Sequence, residues 1–181
     1  WNGMQQAYDQ MKEHPADYIL PVSAQDADES PIPRLSVRTG ISPDLFRRIG
    51  NILTELPENF TPHPTLEKRF LSRRREAFRE DGPLDWAMAE SLAWGSLLTE
   101  NHTVRLSGQD CQRGTFSQRH AVLHDFNNGS VYTPLEKLNH GTTAFRIYNS
   151  SLSEASVLGF EYGYALESQD ALVMWEAQFG D

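Results

Sequence analysis

The amino-acid sequence predicts an α/β fold organised on a parallel sheet, and three observations point to it. From residue 85 onward, segments alternate in the order helix, strand, loop, strand, helix, strand, the order that crossover connections of a parallel sheet require. Residues 171–175 (ALVMW) are almost continuously apolar, as expected of a strand covered on both faces. The stretch 150–165 (SSLSEASVLGFEYGYA) sets Ser153 ahead of Val157, Leu158, Phe160 and Tyr164. That pattern predicts a buried helix capped by the Ser153 hydroxyl, which would accept a backbone N–H of the first turn.

Taken in order, residues 1–13 suit a short helix with Met4, Tyr8 and Met11 on one side. Residues 14–40 then turn proline-bearing and acidic, with a DADES cluster, which predicts a poorly structured linker. Ser42-Pro43-Asp44 is a strong helix start, and Leu45, Phe46, Ile49, Ile52, Leu53 and Leu56 follow at helical period until Pro57. After the NFTPHP turn, Leu66, Phe70 and Leu71 mark a helix that carries Lys68, Arg69, Arg73, Arg74 and Arg75. In an acidic chain such a basic run reads as a solvated or salt-bridged helix face before it reads as a phosphate or nucleic-acid site. Asp85 caps the next helix, with buried positions expected at Trp86, Ala89, Leu92, Ala93 and Leu97 or Leu98. Strands are expected at 102–106, 131–134, 143–148 and 171–175. The polar loop SGQDCQRGTFSQRH follows the first of them. In the helix after the third, Glu154 lies in the first turn, where the dipole favours a carboxylate. Gly159 and Gly163, four apart, allow close packing. Glu154 is then either a dipole-stabilising residue only or a chemical group at a helix mouth.

The bulk numbers bound the function. At 181 residues the chain accommodates about one domain plus an extension. Sixteen basic against 25 acidic residues give a net charge of −9, which suits a soluble protein and argues against wholesale nucleic-acid binding. No apolar run approaches the ~18–20 residues of a membrane span, and no signal-peptide pattern is present. Cys111 is the only cysteine, so no internal disulfide forms and a reducing compartment is expected. The chain opens on Trp1 and stops just past a strand-like run, and it reads as a piece of something longer.

Most motifs that carry chemistry are missing. The histidines show no paired ligand spacing; His120 and His124 are four apart but lack an HExxH context or a third ligand. No GxSxG, GxxxxGK[ST] or GxGxxG occurs, and nothing distinguishes Cys111 as a nucleophile. Topology offers more. Ligands of α/β sheets gather outside the carboxyl ends of the strands, and those ends bring Gln109, Asp110, Arg113, Arg119, His120, Glu154, Gln178 and Phe179 into one neighbourhood.

Three long blocks, VRLSGQDCQRGTFSQRHAVLHD, NSSLSEASVLGFEYGYAL and DALVMWEAQFGD, resemble the thiamine-diphosphate-dependent 2-oxoglutarate dehydrogenase family, the first components of the corresponding complexes. The resemblance runs from about Gly40 to Asp181 and takes in NFTPHPTLEKRFLSRR and LDWAMAESLAWGSLL. It implies a parallel-sheet pyrimidine-binding domain of the transketolase-like fold at 84–181, incomplete at its C-terminus. A helical connecting segment at 41–83 and a variable linker at 1–40 would precede it. It also implies thiamine diphosphate as cofactor, with magnesium held by ligands outside this chain. The implied reaction is oxidative decarboxylation of 2-oxoglutarate, with the succinyl group passing to the lipoyl-bearing dihydrolipoamide succinyltransferase. A homodimer is implied, in the bacterial cytoplasm or the mitochondrial matrix, with no nucleic acid and no membrane. The chain alone would be inactive.

Residue by residue, the resemblance gives Glu154 the carboxyl that pairs with a ring nitrogen of the aminopyrimidine. Phe179 is either the aromatic beneath that ring or a core phenylalanine. Gln109 and Asp110 would line the cofactor pocket. Arg113, Arg119 and His120 would hold either substrate carboxylates or structural partners within the loop, the structural role being favoured for Arg113. Gln118 stands where family members carry histidine or glutamine, which leaves 2-oxoadipate open as an alternative substrate. A non-catalytic role at a dimer interface is the alternative from another class.

Overall fold

The computed structural model describes residues 2–13, 39–79 and 82–178. The chain divides into two units, Trp1–Thr39 and Gly40–Asp181. In the first, α1 spans Asn2–Glu13, as the sequence leads one to expect; the linker expected at 14–40 lies almost wholly outside the described residues.

Helix α2 (Pro43–Thr54) starts where Ser42 predicts. The Ser42 hydroxyl accepts the Leu45 N–H at 3.2 Å, with proline in the first turn. The next helical stretch is broken into α3 (Pro64–Leu66), a π-helical turn over Glu67–Leu71, and α4 (Ser72–Arg79). Helix α5 (Trp86–Thr99) is capped by the Asp85 carboxylate, which accepts the Met88 N–H at 2.8 Å. Its buried face differs from expectation. Ala87, Met88, Ser91, Leu92, Trp94, Gly95 and Leu98 are buried, whereas Trp86 is 92 % exposed and Ala89 and Ala93 face solvent. This helix is apolar nearly all round, so periodicity sets no phase. Contact with α2 sets it: a Cβ at Gly95 would lie 2.6 Å from Ile49 Cγ2, a separation only glycine permits.

The main sheet has three strands, all parallel, with the earliest in the chain lying between the other two. They are β1 (Thr103–Gly108), β4 (Phe145–Asn149) and β5 (Ala171–Glu176). Leu106 stands opposite both Ile147 and Met174, and Gly108 opposite both Asn149 and Glu176, so the carboxyl ends of the strands are level. The crossover from β4 to β5 runs through α6 (Glu154–Glu167) and passes over β1. The strand expected at 131–134 is not part of this sheet. Val131–Tyr132 (β3) pairs antiparallel with Leu123–His124 (β2) in a separate ribbon, and Pro134–Leu138 forms a 3₁₀ turn. Pro134 cannot donate to a ladder, which ends the strand there.

Val104 and Leu106 of β1 point to one face, where they join Ile49, Met88, Leu92, Trp94, Leu98, Phe145 and Ile147 in the core. Arg105 and Ser107 point to the other, toward α6. Two expectations fail on that second face. The outer strand β5 is only half-buried, because it is an edge strand among the described residues. Helix α6 is not buried either: only Val157 and Glu161 are, while Leu158, Phe160, Tyr162 and Leu166 stand exposed. A Cβ at Gly159 or Gly163 would meet nothing within 4 Å, so the close packing these glycines permit is not used within this unit. No helix among the described residues is long and apolar enough to cross a membrane.

Candidate functional site at the carboxyl edge of the sheet

The level strand ends create the site. Gly108 closes β1 where a Cβ would meet the Glu176 carbonyl oxygen at 2.5 Å, so the chain leaves the sheet between two strand ends without a side chain in the way. The loop at 109–121 that follows is strained: Asp110, Ser117 and His120 all take left-handed backbone, with φ of 52°, 55° and 43°. Such conformations cost of order 1–3 kcal/mol each and persist only where surroundings enforce them. Here they are enforced. Gln112 N–H donates to Asn149 Oδ1 at 2.9 Å and its side chain to Ile147 O at 3.0 Å. The Cys111 thiol donates to Tyr148 O at 3.1 Å. Gln178, just past β5, donates to Gln109 O at 3.1 Å and to Thr115 Oγ1 at 2.9 Å.

Arg119 is the strut of this loop. Its Nε donates to Glu90 at 2.7 Å, Nη1 to Cys111 O at 2.7 Å and to Glu176 at 3.0 Å, and Nη2 to both carboxylates again. All five donors are engaged. Burial alone would lower its pKa, but the bonds to Glu176 and Glu90 outweigh it and hold the guanidinium above its ordinary range. Every one of these contacts ties Arg119 to groups of the chain itself, which is the structural one of its two expected roles. Arg113 also serves the loop: Nε donates to Asp110 Oδ2 at 2.9 Å and Nη1 to Ser117 Oγ at 3.2 Å. Asp110 therefore holds Arg113. Gln109 contributes its carbonyl to Gln178 while its side chain is exposed. His120 packs edge-on to Phe70, with ring centroids 4.8 Å apart. Burial, with Arg74 and Arg113 beside it, holds its pKa below the usual histidine value. Phe179 lies outside the described residues.

Glu154 opens α6 beside the end of β5. Ser153 is the N-cap residue, yet its hydroxyl makes no capping bond; it pairs with the Ser156 hydroxyl at 2.7 Å. The Glu154 carboxylate is consequently the polar group of this helix start. Trp175 Nε1 donates to its Oε2 at 2.9 Å. Its Oε1 is buried and has no partner. A buried carboxylate oxygen without a donor is costly. An acceptor held in this way suits a ring nitrogen that shares a proton, so Glu154 fits the polar edge of an aminopyrimidine.

One group at this edge escapes a reading by segments. Glu161, two turns along α6, is buried at 4 % exposure. It accepts from Arg105 Nε at 2.7 Å and Nη2 at 2.8 Å, and from Ser107 Oγ at 2.8 Å. Its hydrogen bonds raise the pKa of Arg105 against the lowering effect of burial. Arg105 also lies 4.9 Å from the Tyr148 ring centroid and 4.6 Å from that of Tyr164. The available signal was a lone acid on the apolar side of a helix, facing a lone arginine in a strand. Among the described residues, no three His, Cys, Asp or Glu side chains gather as a metal would need.

Comparison with known proteins agrees with the fold. Residues 82–181 match the family described as "Transketolase, pyrimidine binding domain". The chain belongs to that family, and it is an α/β pyrimidine-binding domain preceded by helices. It is also 54 % identical over 146 residues to "2-oxoglutarate dehydrogenase, mitochondrial" of Schizosaccharomyces pombe, covering 81 % of this chain and 14 % of that protein. To "2-oxoglutarate dehydrogenase E1 component" of Bacillus cereus it is 48 % identical, covering 81 % of this chain and 15 % of the relative. A third relative, "2-oxoglutarate dehydrogenase, mitochondrial" of Saccharomyces cerevisiae, is 43 % identical over an alignment covering 100 % of this chain and 18 % of its own length. The chain thus spans less than a fifth of the length of the curated relatives it matches.

Proposed function

We propose that this chain supplies the aminopyrimidine half of a thiamine diphosphate site in a 2-oxoglutarate dehydrogenase first component. The observation that carries the reading is the buried, unpartnered Glu154 Oε1 at the carboxyl edge of the sheet. When bound, thiamine diphosphate supplies a carbon nucleophile and an electron sink for decarboxylating a 2-oxo acid. The chain's own part is narrower. Glu154 Oε1 holds a proton against a ring nitrogen and exchanges it there, a general acid–base role. The Trp175 N–H occupies Oε2 and leaves Oε1 as the free acceptor. The strut of Arg119, Glu90 and Glu176 keeps the neighbouring loop in place.

The substrate is 2-oxoglutarate, the acceptor is lipoamide on a dihydrolipoamide succinyltransferase, and the compartment is the bacterial cytoplasm or the mitochondrial matrix. Magnesium and its ligands belong to residues beyond these. Gln109 and Asp110 shape the cofactor side of the loop. Residues 1–40 act as linker, 41–83 as helical connection and 84–181 as the pyrimidine-binding domain. The test is Glu154→Gln in the complete polypeptide, with carbon dioxide release followed from 2-oxoglutarate and 2-oxoadipate side by side. A general acid–base role of this kind is worth about 10²–10⁴-fold, so at least a hundredfold loss with an unchanged circular dichroism spectrum is expected. A variant keeping a tenth of the rate would sink the assignment, and faster turnover of 2-oxoadipate would move the substrate.

A homodimer completes the reading. Leu158, Tyr162 and Leu166, four residues apart, form an exposed apolar stripe on α6. A second copy covering that face would bring its own residues to the Glu154 edge. Sedimentation of the intact protein checks this: a monomer at micromolar concentration contradicts it.

A further inference from the structure

We propose that the cavity between α4 and the 109–121 loop binds a small organic anion, whose phosphate or carboxylate group is held by Arg74 with Arg69 and Arg73 around it. The cavity measures about 680 Å³, within the roughly 300–1,000 Å³ of small-molecule sites. Leu66, Phe70 and Met88 give it an apolar side.

Arg74 is the decisive residue. It sits on the stripe that joins Leu71 to Phe78 and is only 4 % exposed. Among the described residues it makes no salt bridge. Its Nε is buried without a partner, and Nη2 reaches the Gln118 carbonyl oxygen only at a long 3.4 Å. Its guanidinium also stacks on the Phe70 ring, 3.9 Å from the centroid, a cation–π contact that offsets only part of the burial cost. A buried cation without a carboxylate is expensive.

The charges facing Arg74 make the point sharper. Arg69 and Arg73 line the same cavity, as do His63 and His120, while Arg113 in that lining is already paired with Asp110. The single acid there is Asp85, whose carboxylate is spent on capping α5. Burial lowers the pKa of Arg74 to about 10 against the weaker pull of Asp85 and Glu90. An arriving anion would satisfy the fork bidentately, a geometry suited equally to phosphate and carboxylate. This site does not depend on the cofactor reading.

The experiment is calorimetric titration of the intact protein with inorganic phosphate and, separately, malonate. Native protein is compared with Arg74→Lys, which keeps the charge but loses the fork, and with the exposed pair Arg69→Gln/Arg73→Gln, which spares the buried stripe. Saturable binding is expected, weakened about tenfold by Arg74→Lys and several-fold by the double variant, as bidentate and point-charge contacts should differ. The probe bound more tightly identifies the source of the anionic group. Binding unaffected by both variants, or no saturation by either probe, overturns the proposal. Neither titration uses decarboxylation, so that failure would leave Glu154 as it stands.

Discussion

Two glutamates of one helix are treated in opposite ways. Glu161 is buried and saturated: a guanidinium and a hydroxyl occupy its oxygens. Glu154, two turns earlier, has one oxygen on an indole N–H and the other buried with nothing. Both cost desolvation, but only the first has that cost offset inside the chain. The two guanidinium groups Arg119 and Arg74 repeat the contrast, one gripped by two carboxylates and one left with a carbonyl and a ring. A satisfied buried charge is architecture; an unsatisfied one is a place for something else to bind.

Substitution separates the two glutamates. The largest effect belongs to Glu154→Gln, where the expected loss is kinetic, at least about a hundredfold, and thermal stability is retained. Glu161→Ala should do the reverse. Stranding Arg105 in a site it cannot leave costs about 3 kcal/mol, read as a lower urea midpoint. If Glu161→Ala leaves the midpoint unchanged while abolishing turnover, the two roles have been assigned the wrong way round. Trp175→Phe removes the N–H from Glu154 Oε2 and keeps the ring. A hydrogen bond to a charged group is worth about 1.5–3 kcal/mol, so a drop in turnover of roughly tenfold is expected with little change in fold.

The smallest effect concerns pH. Burial beside Arg74 and Arg113 depresses the pKa of His120, so the unfolded chain takes up a proton that the native state refuses. Stability is therefore complete above the ordinary histidine value of about 6.5 and declines as pH falls below it. His120→Asn, which tolerates the left-handed backbone at that position, should flatten the change in urea midpoint between about pH 7.5 and about pH 5.5. An unaltered slope would assign the proton uptake elsewhere.

The sequence was most legible where the signal is local. Ser42 and Asp85 fix their helix starts through a side-chain oxygen three residues from its donor, and the strands expected at 102–106, 143–148 and 171–175 fall on the observed 103–108, 145–149 and 171–176 to within two residues. The gathering of the loop, α6 and the end of β5 at one edge follows from topology alone. Elsewhere the answer is held by partners far along the chain. The buried face of α5 is set by Ile49 against Gly95, and Glu161 by Arg105, 56 residues away. Ser153 looked like a cap by type, but its hydroxyl turned to Ser156. The exposed face of α6 carries the same residues as a buried one, and composition cannot say whether its cover lies in the same unit. Arg74 was hidden inside a basic run, although its spacing from Leu71 and Phe78 placed it on their stripe.

Cys111 gives the loop one more property. Its thiol is wholly enclosed, donates to Tyr148 O, and burial pushes its pKa up to about 12. It is the chain's only sulfhydryl, so an alkylating reagent has a single target, one that becomes nucleophilic only when the segment lifts away from β4. The labelling rate is then a native gauge of how often the strained turn next to Glu154 comes undone, and it needs no engineered reporter.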